Sequence, residues 1–138
     1  MKKQQTIVND RHRFKFYDKS IGFMGEVKSM SVLDNWAMVR FSYANEETPD
    51  DEVNLSDGIL LQCTGLKDKN AELIYEGDIY QWDWDVNLKN NVVFVSGCFG
   101  HLNKLGTYGD YFVAINKARA SRMKVIGNIY ENPELIKK

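Results

Sequence analysis

Cys98 and His101 are the two side chains whose types and spacing first suggest chemistry. A thiolate beside an imidazole forms a nucleophile when a third group aims the ring at the sulfur. Closeness along the chain does not set that geometry, because the fold decides where each side chain points. The pattern therefore favours a small buried thiol and a surface histidine over a catalytic pair. We assign no catalytic residue from the sequence.

Carboxylates and thiols give only weak grounds for a metal site. Asp83 and Asp85 lie two residues apart, with Asp78 shortly before them. Paired carboxylates can bind a hard cation or transfer protons, but solvated carboxylates on an outward strand face are commoner. Cys63 and Cys98 are 35 residues apart, whereas structural zinc sites use four nitrogen or sulfur ligands in paired spacings. We predict no metal and no cofactor.

Four glycines, at 97, 100, 106 and 109, lie within the stretch 96–110. A phosphate-binding loop is also rich in glycine, but it ends in Gly-Lys followed by Ser or Thr, and this stretch has no such ending. We therefore expect these glycines to serve tight turns.

Aromatic and basic side chains are the strongest candidates for binding. From Ile79 to Val86 the residues alternate, which predicts a strand with Tyr80, Trp82 and Trp84 on one face. Such a stripe is either core or an exposed platform on which single-stranded nucleic acid stacks its bases. Carboxylates on the other face would repel phosphate, which favours core with both tryptophans pointing inward. Runs of charge are usually solvated surface. The best basic cluster comprises Lys117, Arg119, Arg122 and Lys124.

The rest of the pattern predicts a mainly β protein, because many short strands are separated by turn residues. Close spacing of the strands favours a small barrel or a strongly bent sheet. Asn116 is placed to cap a turn or two of helix, and Asn132, Pro133 and Glu134 begin a short C-terminal helix. Residues 87–91 are predicted as a turn. Strands are predicted at 13–17, 21–24, 37–43, 59–63, 73–75, 79–86, 91–95, 111–115 and 124–130.

A chain of 138 residues suffices for one ordinary domain or two small lobes. The segment 45–52 holds five carboxylates and a proline, which predicts a solvated loop. We predict an N-terminal β-rich lobe at 1–57 with this loop, and a second lobe at 58–138 that can join it in one compact unit. No stretch is apolar enough for a signal peptide or a membrane span, so we expect a cytoplasmic protein without a membrane partner.

The net charge of −1 conceals a strong asymmetry along the chain. Residues 1–40 carry eight Lys or Arg and four Asp or Glu; residues 41–88 carry two and twelve; residues 89–138 carry eight and three. Blocks of opposite sign attract one another within a fold or between subunits, so we expect a homo-oligomer. An isoelectric point near 6.1 makes general nucleic-acid binding the less favoured alternative.

Three segments carry a family resemblance in their order and spacing. They are RFKFYDK at 13–19, QCTGLKDKN at 62–70 running into IYEGDI at 74–79, and VIGNIYENPEL at 125–135. Together they resemble the YopX family of phage and prophage proteins of unknown function. The resemblance implies an SH3-like barrel in the C-terminal half, preceded by an N-terminal β-rich segment. It implies no enzymatic activity, and it carries over no catalytic or ligand residue.

The leading functional hypothesis is a non-enzymatic accessory protein of a phage or prophage that acts through protein contacts. Its partner would be a second copy of itself, or a phage or host protein. The alternative is a nucleic-acid-binding regulator that uses the barrel and the basic cluster at 117–124. A second alternative is an enzyme of unknown chemistry. Steep salt dependence of binding to DNA or RNA would favour the regulator.

Overall fold

The computed structural model describes residues 10–104 and 110–136, with Lys104 described by its backbone alone. Strands dominate these residues and one four-residue α-helix accompanies them, which confirms the predicted mainly β class. The elements are β1 (Phe14–Asp18), β2 (Phe23–Ser31), β3 (Trp36–Phe41), β4 (Asp51–Asn54), β5 (Gly58–Lys67), β6 (Leu73–Tyr75), β7 (Asp78–Trp82), β8 (Asp85–Asn91), β9 (Val93–Val95), β10 (Cys98–Lys104), β11 (Asp110–Ala114), α1 (Lys117–Ala120) and β12 (Met123–Asn128).

The first five strands and β6 form one sheet in the order β4-β3-β2-β1-β5-β6. Strand β5 is the first element of the segment 58–138, and it pairs antiparallel with β1, so the two predicted segments share this sheet. One face of the sheet is covered by apolar side chains that alternate along the strands. The buried members are Phe16, Ala37, Val39 and Phe41, with Val27, Met30, Val53 and Leu55 packed against them.

The C-terminal half forms two three-stranded sheets, β12-β7-β8 and β11-β10-β9. Their strand pairings, among the described residues, do not close into a barrel, so the expected SH3-like barrel is not confirmed. Both sheets and the β5–β6 hairpin contribute to one core. Its buried members are Ile74, Tyr80, Trp82, Val92, Ala120 and Met123, with Leu66, Phe99, Ile115 and Val125 packed against them.

The strand predicted at 79–86 is shorter than expected, and the turn predicted at 87–91 is wrong. Strand β7 ends at Trp82, residues 83–84 form the turn, and β8 occupies 85–91. The backbone N–H of Asp83 donates to the Arg122 carbonyl at 2.9 Å, which holds the turn against β12. Because Gln81 pairs with Lys89 and Trp82 pairs with Asp85, residues 86–88 form a bulge.

The glycine-rich stretch contains a strand that the sequence pattern missed. Ser96 and Gly97 make the turn, with φ of 51° and 83°, and β10 follows at once. The predicted role of glycine in a tight turn is therefore confirmed at Gly97, whereas Gly100 lies within β10. Residues 106 and 109 lie outside the described part of the chain.

The acidic loop is shorter than predicted, because Asp51 and Glu52 begin β4. The Asn45 side-chain oxygen accepts from the backbone N–H groups of Glu47 and Thr48 at 3.0 and 3.1 Å. The Arg40 guanidinium reaches in from β3 and donates to the Thr48 carbonyl at 2.9 Å. The conformation of the loop is therefore held by hydrogen bonds to the Asn45 side chain and from the Arg40 guanidinium.

Both predicted helical segments are present, and both are short. The Asn116 side chain caps α1 by accepting from the Arg119 N–H at 2.8 Å. Pro133–Leu135 forms one turn of 3-10 helix, but the Asn132 side chain accepts from Asn128 N–H at 3.2 Å instead of capping it. Two further 3-10 turns lie at Asp10–His12 and Leu55–Asp57. None of the helices among residues 10–104 and 110–136 has the length and apolar character needed to cross a membrane.

A buried carboxylate, Asp68, connects the β5–β6 hairpin to β12. Its Oδ1 accepts from the N–H groups of Asn70 and Glu72, each at 2.9 Å, and closes the hairpin tip. Its Oδ2 accepts from the Val125 N–H at 2.9 Å. The N–H of Lys69 donates to the Met123 carbonyl at 2.9 Å beside it. One side chain therefore satisfies three backbone donors from two parts of the chain.

We expect the substitution Asp68→Asn to lower the free energy of unfolding by roughly 2–3 kcal/mol, because an amide offers one acceptor oxygen where two are needed. At least one N–H would then face an NH₂ group. Urea denaturation of both proteins measures the change. The matched control is Asp57→Asn, an exposed position. Equal stability of the two variants would contradict the role given to Asp68.

Candidate interaction surfaces

The β7–β8 hairpin places an aromatic stack at the surface. Tyr80 is fully buried and Trp82 nearly so, as predicted, but the prediction for Trp84 is wrong because 59% of its surface is exposed. The reason is the end of β7 at Trp82, which puts Trp84 in the turn instead of on the inner strand face. The Trp84 ring stacks on Trp82 with centroids 5.8 Å apart and planes at 25°. Trp82 in turn meets Tyr80 edge to face at 5.6 Å.

His101 lies in the core beside these aromatic rings, where it is hydrogen-bonded to the Tyr80 hydroxyl through Nδ1. The imidazole also meets the rings of Tyr80 and Trp82 at 5.7 and 5.9 Å. Burial lowers the pKa of His101, and the positive charge of Arg119 lowers it further. Burial also raises the pKa of Tyr80. Both groups are therefore neutral partners near pH 7.

The expected burial of Cys98 and exposure of His101 are both reversed. Cys98 is exposed, whereas only 3% of His101 is accessible. The two residues are three positions apart on β10, and side chains on a strand alternate between its faces. His101 consequently points into the core and Cys98 points outward. The geometry does not form a thiolate–imidazole pair.

The three carboxylates considered as metal ligands are held by separate partners. Asp83 accepts from Arg122 Nε with both oxygens at 3.1 Å. Asp85 accepts from the Asn87 N–H at 3.0 Å, and Asp78 accepts from the Tyr75 N–H at 2.8 Å. Burial raises the pKa of Asp78 to about 7. In the part of the chain that the structure describes, no three His, Cys, Asp or Glu side chains are grouped to hold a metal ion.

The predicted basic cluster is divided between α1, the turn at 121–122 and β12. Arg119 donates to the Ala114 carbonyl at 2.8 Å, and Arg122 forms the ion pair with Asp83. Lys117 and Lys124 are exposed, and neither ammonium has an ion-pair partner among the described residues. The structure thus brings Arg122 to the Trp84 turn, while Tyr80 is buried in the core.

Sequence analysis missed an apolar sheet face on β9, β10 and β11. Residues directly opposite one another in antiparallel strands share a face. Because Phe99 and His101 face the core, the alternate residues of β10 face outward. Leu102 and Val95 are 44% and 39% exposed, and the Phe112 ring lies across Gly100. We call this the outer β10 face; its rows are Cys98–Val95, Val93–Gly100–Ala114 and Leu102–Phe112.

A second missed feature is a polar row across the other three-stranded sheet. Gln81 on β7 lies between Lys124 on β12 and Lys89 on β8. Lys89 was assigned to a turn, so no pattern in the sequence could pair it with Gln81. Placing the hairpin turn at 83–84 would by itself pair Gln81 with Val86, because the bulge at 86–88 leaves no mark in the sequence pattern.

A shallow cleft of about 410 Å³ lies beside β1 and β2. Cationic and anionic side chains line it in equal number, and Arg13 is already paired with Asp10 at 3.0 Å. The Lys15 ammonium lies over the Tyr75 ring at 4.4 Å. Because three cations and three anions line the cleft, it does not favour a ligand of either charge.

The structure is that of a small, mainly β protein. Exposed aromatic and apolar side chains lie on its C-terminal sheets, such as Trp84 and Leu102, and also in its N-terminal half, such as Val32 and Leu33. The family model described as YopX protein matches residues 13–137, and the chain belongs to the YopX family. No match was found among the curated proteins.

Two solved structures have the same fold. Protein EF1440 from Enterococcus faecalis is similar with a TM-score of 0.65 and 24% identity, over 91% of this chain and 97% of that one. Protein yopX from Bacillus subtilis is similar with a TM-score of 0.54 and 17% identity, over 93% and 98%. At these identities the likeness shows the fold alone.

The segments that carry the family resemblance meet in space and support packing. Tyr17 of the first segment stacks on Tyr130 of the third at 5.4 Å. Gly77 of the second segment has φ of 86°, and a Cβ there would lie 2.9 Å from the Tyr130 ring. Asp68 joins the second and third segments. The family motifs thus mark the junction between the sheets.

We expect protonation of His101 to destabilise the fold at low pH. Because burial lowers its pKa in the folded chain, the unfolded chain takes up the proton first as the pH falls below about 6.5. The neutral imidazole therefore contributes its full stabilisation above that pH. This stabilisation is lost as the pH falls through the pKa of His101 in the folded chain, by at most about 1.4 kcal/mol per pH unit. The measurement is the difference in free energy of unfolding between the native chain and His101→Gln from pH 8 to pH 5.

The ionisation of Asp78 affects the free energy of unfolding over an overlapping pH range with the opposite sign. Because the pKa of Asp78 is raised in the folded chain, its stabilisation of the fold is lost as the pH rises. Both proteins retain Asp78, so the difference between them isolates His101. The exposed His12→Gln variant is the control and should follow the native chain. A difference that stays constant over this range would contradict the prediction.

Proposed function

We propose that this chain is a non-enzymatic accessory protein of a phage or prophage that resides in the cytoplasm and acts through protein contacts, first of all with a second copy of itself. The single observation that carries the proposal is the outer β10 face. No charged side chain occurs in its three rows, and Leu102, Val95 and Cys98 are open to solvent. Contiguous apolar surface of this kind is typical of contact sites.

A second copy is the occupant that suits this face best. A patch that is apolar over three consecutive rows is complementary to itself, and a two-fold axis brings the same patch together from both subunits. The next paired row, Lys104–Asp110, carries opposite charges and marks the rim of the patch. The strands β9 and β11 are also edges of their sheet, which leaves backbone groups open beside the patch. A phage or host protein with an apolar surface is the alternative occupant.

Other features support a binding role over catalysis. The Cys98 thiol and the His101 imidazole lie on opposite faces of β10, and Asp78, Asp83 and Asp85 each have a separate partner. Of these five side chains, His101 and the three carboxylates are held by hydrogen bonds, and the exposed Cys98 thiol has no imidazole beside it.

We further propose that 1–57 and 58–138 form one compact unit, which the pairing of β1 with β5 supports. An SH3-like barrel in the second segment is supported by the single core that both three-stranded sheets share with the β5–β6 hairpin. In such a barrel the outer β10 face lies on the convex surface. It would be accessible to a second subunit without any rearrangement.

We expect light scattering after size exclusion to give a mass that is a multiple of 16.0 kDa. Leu102→Glu should weaken this assembly by about tenfold or more, because it buries an unpaired carboxylate in an apolar contact. The matched control is Val32→Glu in the β2–β3 turn, where 70% of the side chain is exposed. The Cys98 thiol should react slowly with a maleimide in the assembly and faster in Leu102→Glu.

The salt dependence separates this contact from a contact between the charged blocks. An apolar interface persists as salt is raised, whereas exposed ion pairs are screened within about 10 Å at about 0.1 M salt. A mass of 16.0 kDa at micromolar concentration would contradict self-association. An assembly that dissociates in salt and is unchanged in Leu102→Glu would contradict the choice of face.

A further inference from the structure

The outer face of the β12-β7-β8 sheet carries cations in register. Lys124, Gln81 and Lys89 lie directly opposite one another on adjacent strands, so their side chains share one face. Two strand spacings separate the lysines, about 10 Å between their backbones. Both are exposed, and neither ammonium is paired with a carboxylate within the described residues.

The carboxylates nearest in sequence do not occupy this row. In the strand predicted at 79–86, Asp83 and Asp85 would have alternated with the tryptophans and faced the same side as Gln81. In the structure, Asp83 lies in the turn and both its oxygens accept from Arg122. Asp85 lies beyond the turn and accepts from the Asn87 N–H. The expected repulsion of phosphate by this strand face is therefore removed.

An aromatic ring lies at the end of the same hairpin. Trp84 is exposed, and its ring is fixed by stacking on Trp82, which is itself held in the core by Tyr80. The Arg122–Asp83 pair and the Asp83 N–H bond to Arg122 anchor the turn from the other side. The indole is thus open to solvent without being free to move far, so little conformational entropy is lost when a second ring stacks on it.

We propose that this surface binds single-stranded nucleic acid, with one base stacked on Trp84 and phosphates contacted by Lys89 and Lys124. The Trp84 ring lies on the Trp82 side of the hairpin end and the lysine row lies on the opposite, Gln81 side, so the bound strand passes around the end of the hairpin. An exposed ring for a base together with cations for the backbone is the combination that single strands use. Bases in a duplex are already stacked on their neighbours, so they cannot stack on a single exposed tryptophan without leaving the duplex. The surface lies on a different sheet from the outer β10 face, and this activity is independent of the proposed self-association.

The experiment is fluorescence anisotropy with short labelled oligothymidylate and oligouridylate, which distinguishes DNA from RNA. For about two phosphate contacts, we expect the logarithm of the association constant to fall against the logarithm of salt concentration with a slope of about −1.4. Trp84→Ala should weaken binding at least about fivefold, and Trp84→Phe should retain most of it. Lys89→Glu combined with Lys124→Glu should weaken binding and make the slope shallower.

Two matched controls separate this site from general charge and surface effects. Lys19→Glu combined with Lys28→Glu makes the same charge change at two exposed positions, one in the β1–β2 turn and one on β2, and Leu33→Ala removes an apolar residue that is 95% exposed. Both should bind as the native chain does, and far-UV circular dichroism should be unchanged in every variant. No binding to either probe at about 20 mM salt overturns the proposal, as does an equal loss in the lysine control. Unchanged affinity in Trp84→Ala also overturns it.

Discussion

The Asp68 carboxylate is the contact on which the arrangement of the sheets depends. The β5–β6 hairpin belongs to the six-stranded sheet, and β12 belongs to a separate three-stranded sheet. A charged oxygen buried without donors would cost several kcal/mol, roughly, so each of the three N–H groups around Asp68 is required in place. The hydrogen bonds from these three N–H groups fix the tip of the β5–β6 hairpin against the start of β12. Together with the stack of Tyr17 on Tyr130, this junction joins the β12-β7-β8 sheet to the six-stranded sheet.

The position of the β7–β8 turn has the next largest consequence. Asp83 is held by Arg122, 39 residues further along the chain, through a backbone bond and an ion pair. With the turn fixed there, Trp84 leaves the inner strand face and becomes a surface residue. The bulge at 86–88 then shifts the register of β8, so that Lys89 pairs with Gln81. A long-range contact thereby decides which aromatic side chains are core and which are exposed.

Alternation of residue types along the chain predicted β1, β3 and the first part of β7, and in β3 the burial alternates in the same way. It failed at Asp83 and Trp84 because two-residue turns are usually marked by Gly or Asn, and here the alternation continues through the turn. It also failed at β10, where glycines suggested a loop. Gly100 is needed there for another reason, since the Phe112 ring lies across it. The family motifs were found because they are local, whereas the Lys124–Gln81–Lys89 row depends on register between three strands.

Strand β10 shows how one element can separate two kinds of surface. Its inward residues, Phe99 and His101, complete the aromatic core that fixes Trp82 and, through stacking, Trp84. Its outward residues, Cys98 and Leu102, belong to the apolar face proposed for self-association. The two three-stranded sheets pack their inner faces on one core, so their outer faces point away from it on different sides. A subunit contact on one sheet would therefore leave the tryptophan and the lysine row of the other sheet open, and assembly would multiply the nucleic-acid surface by the number of subunits.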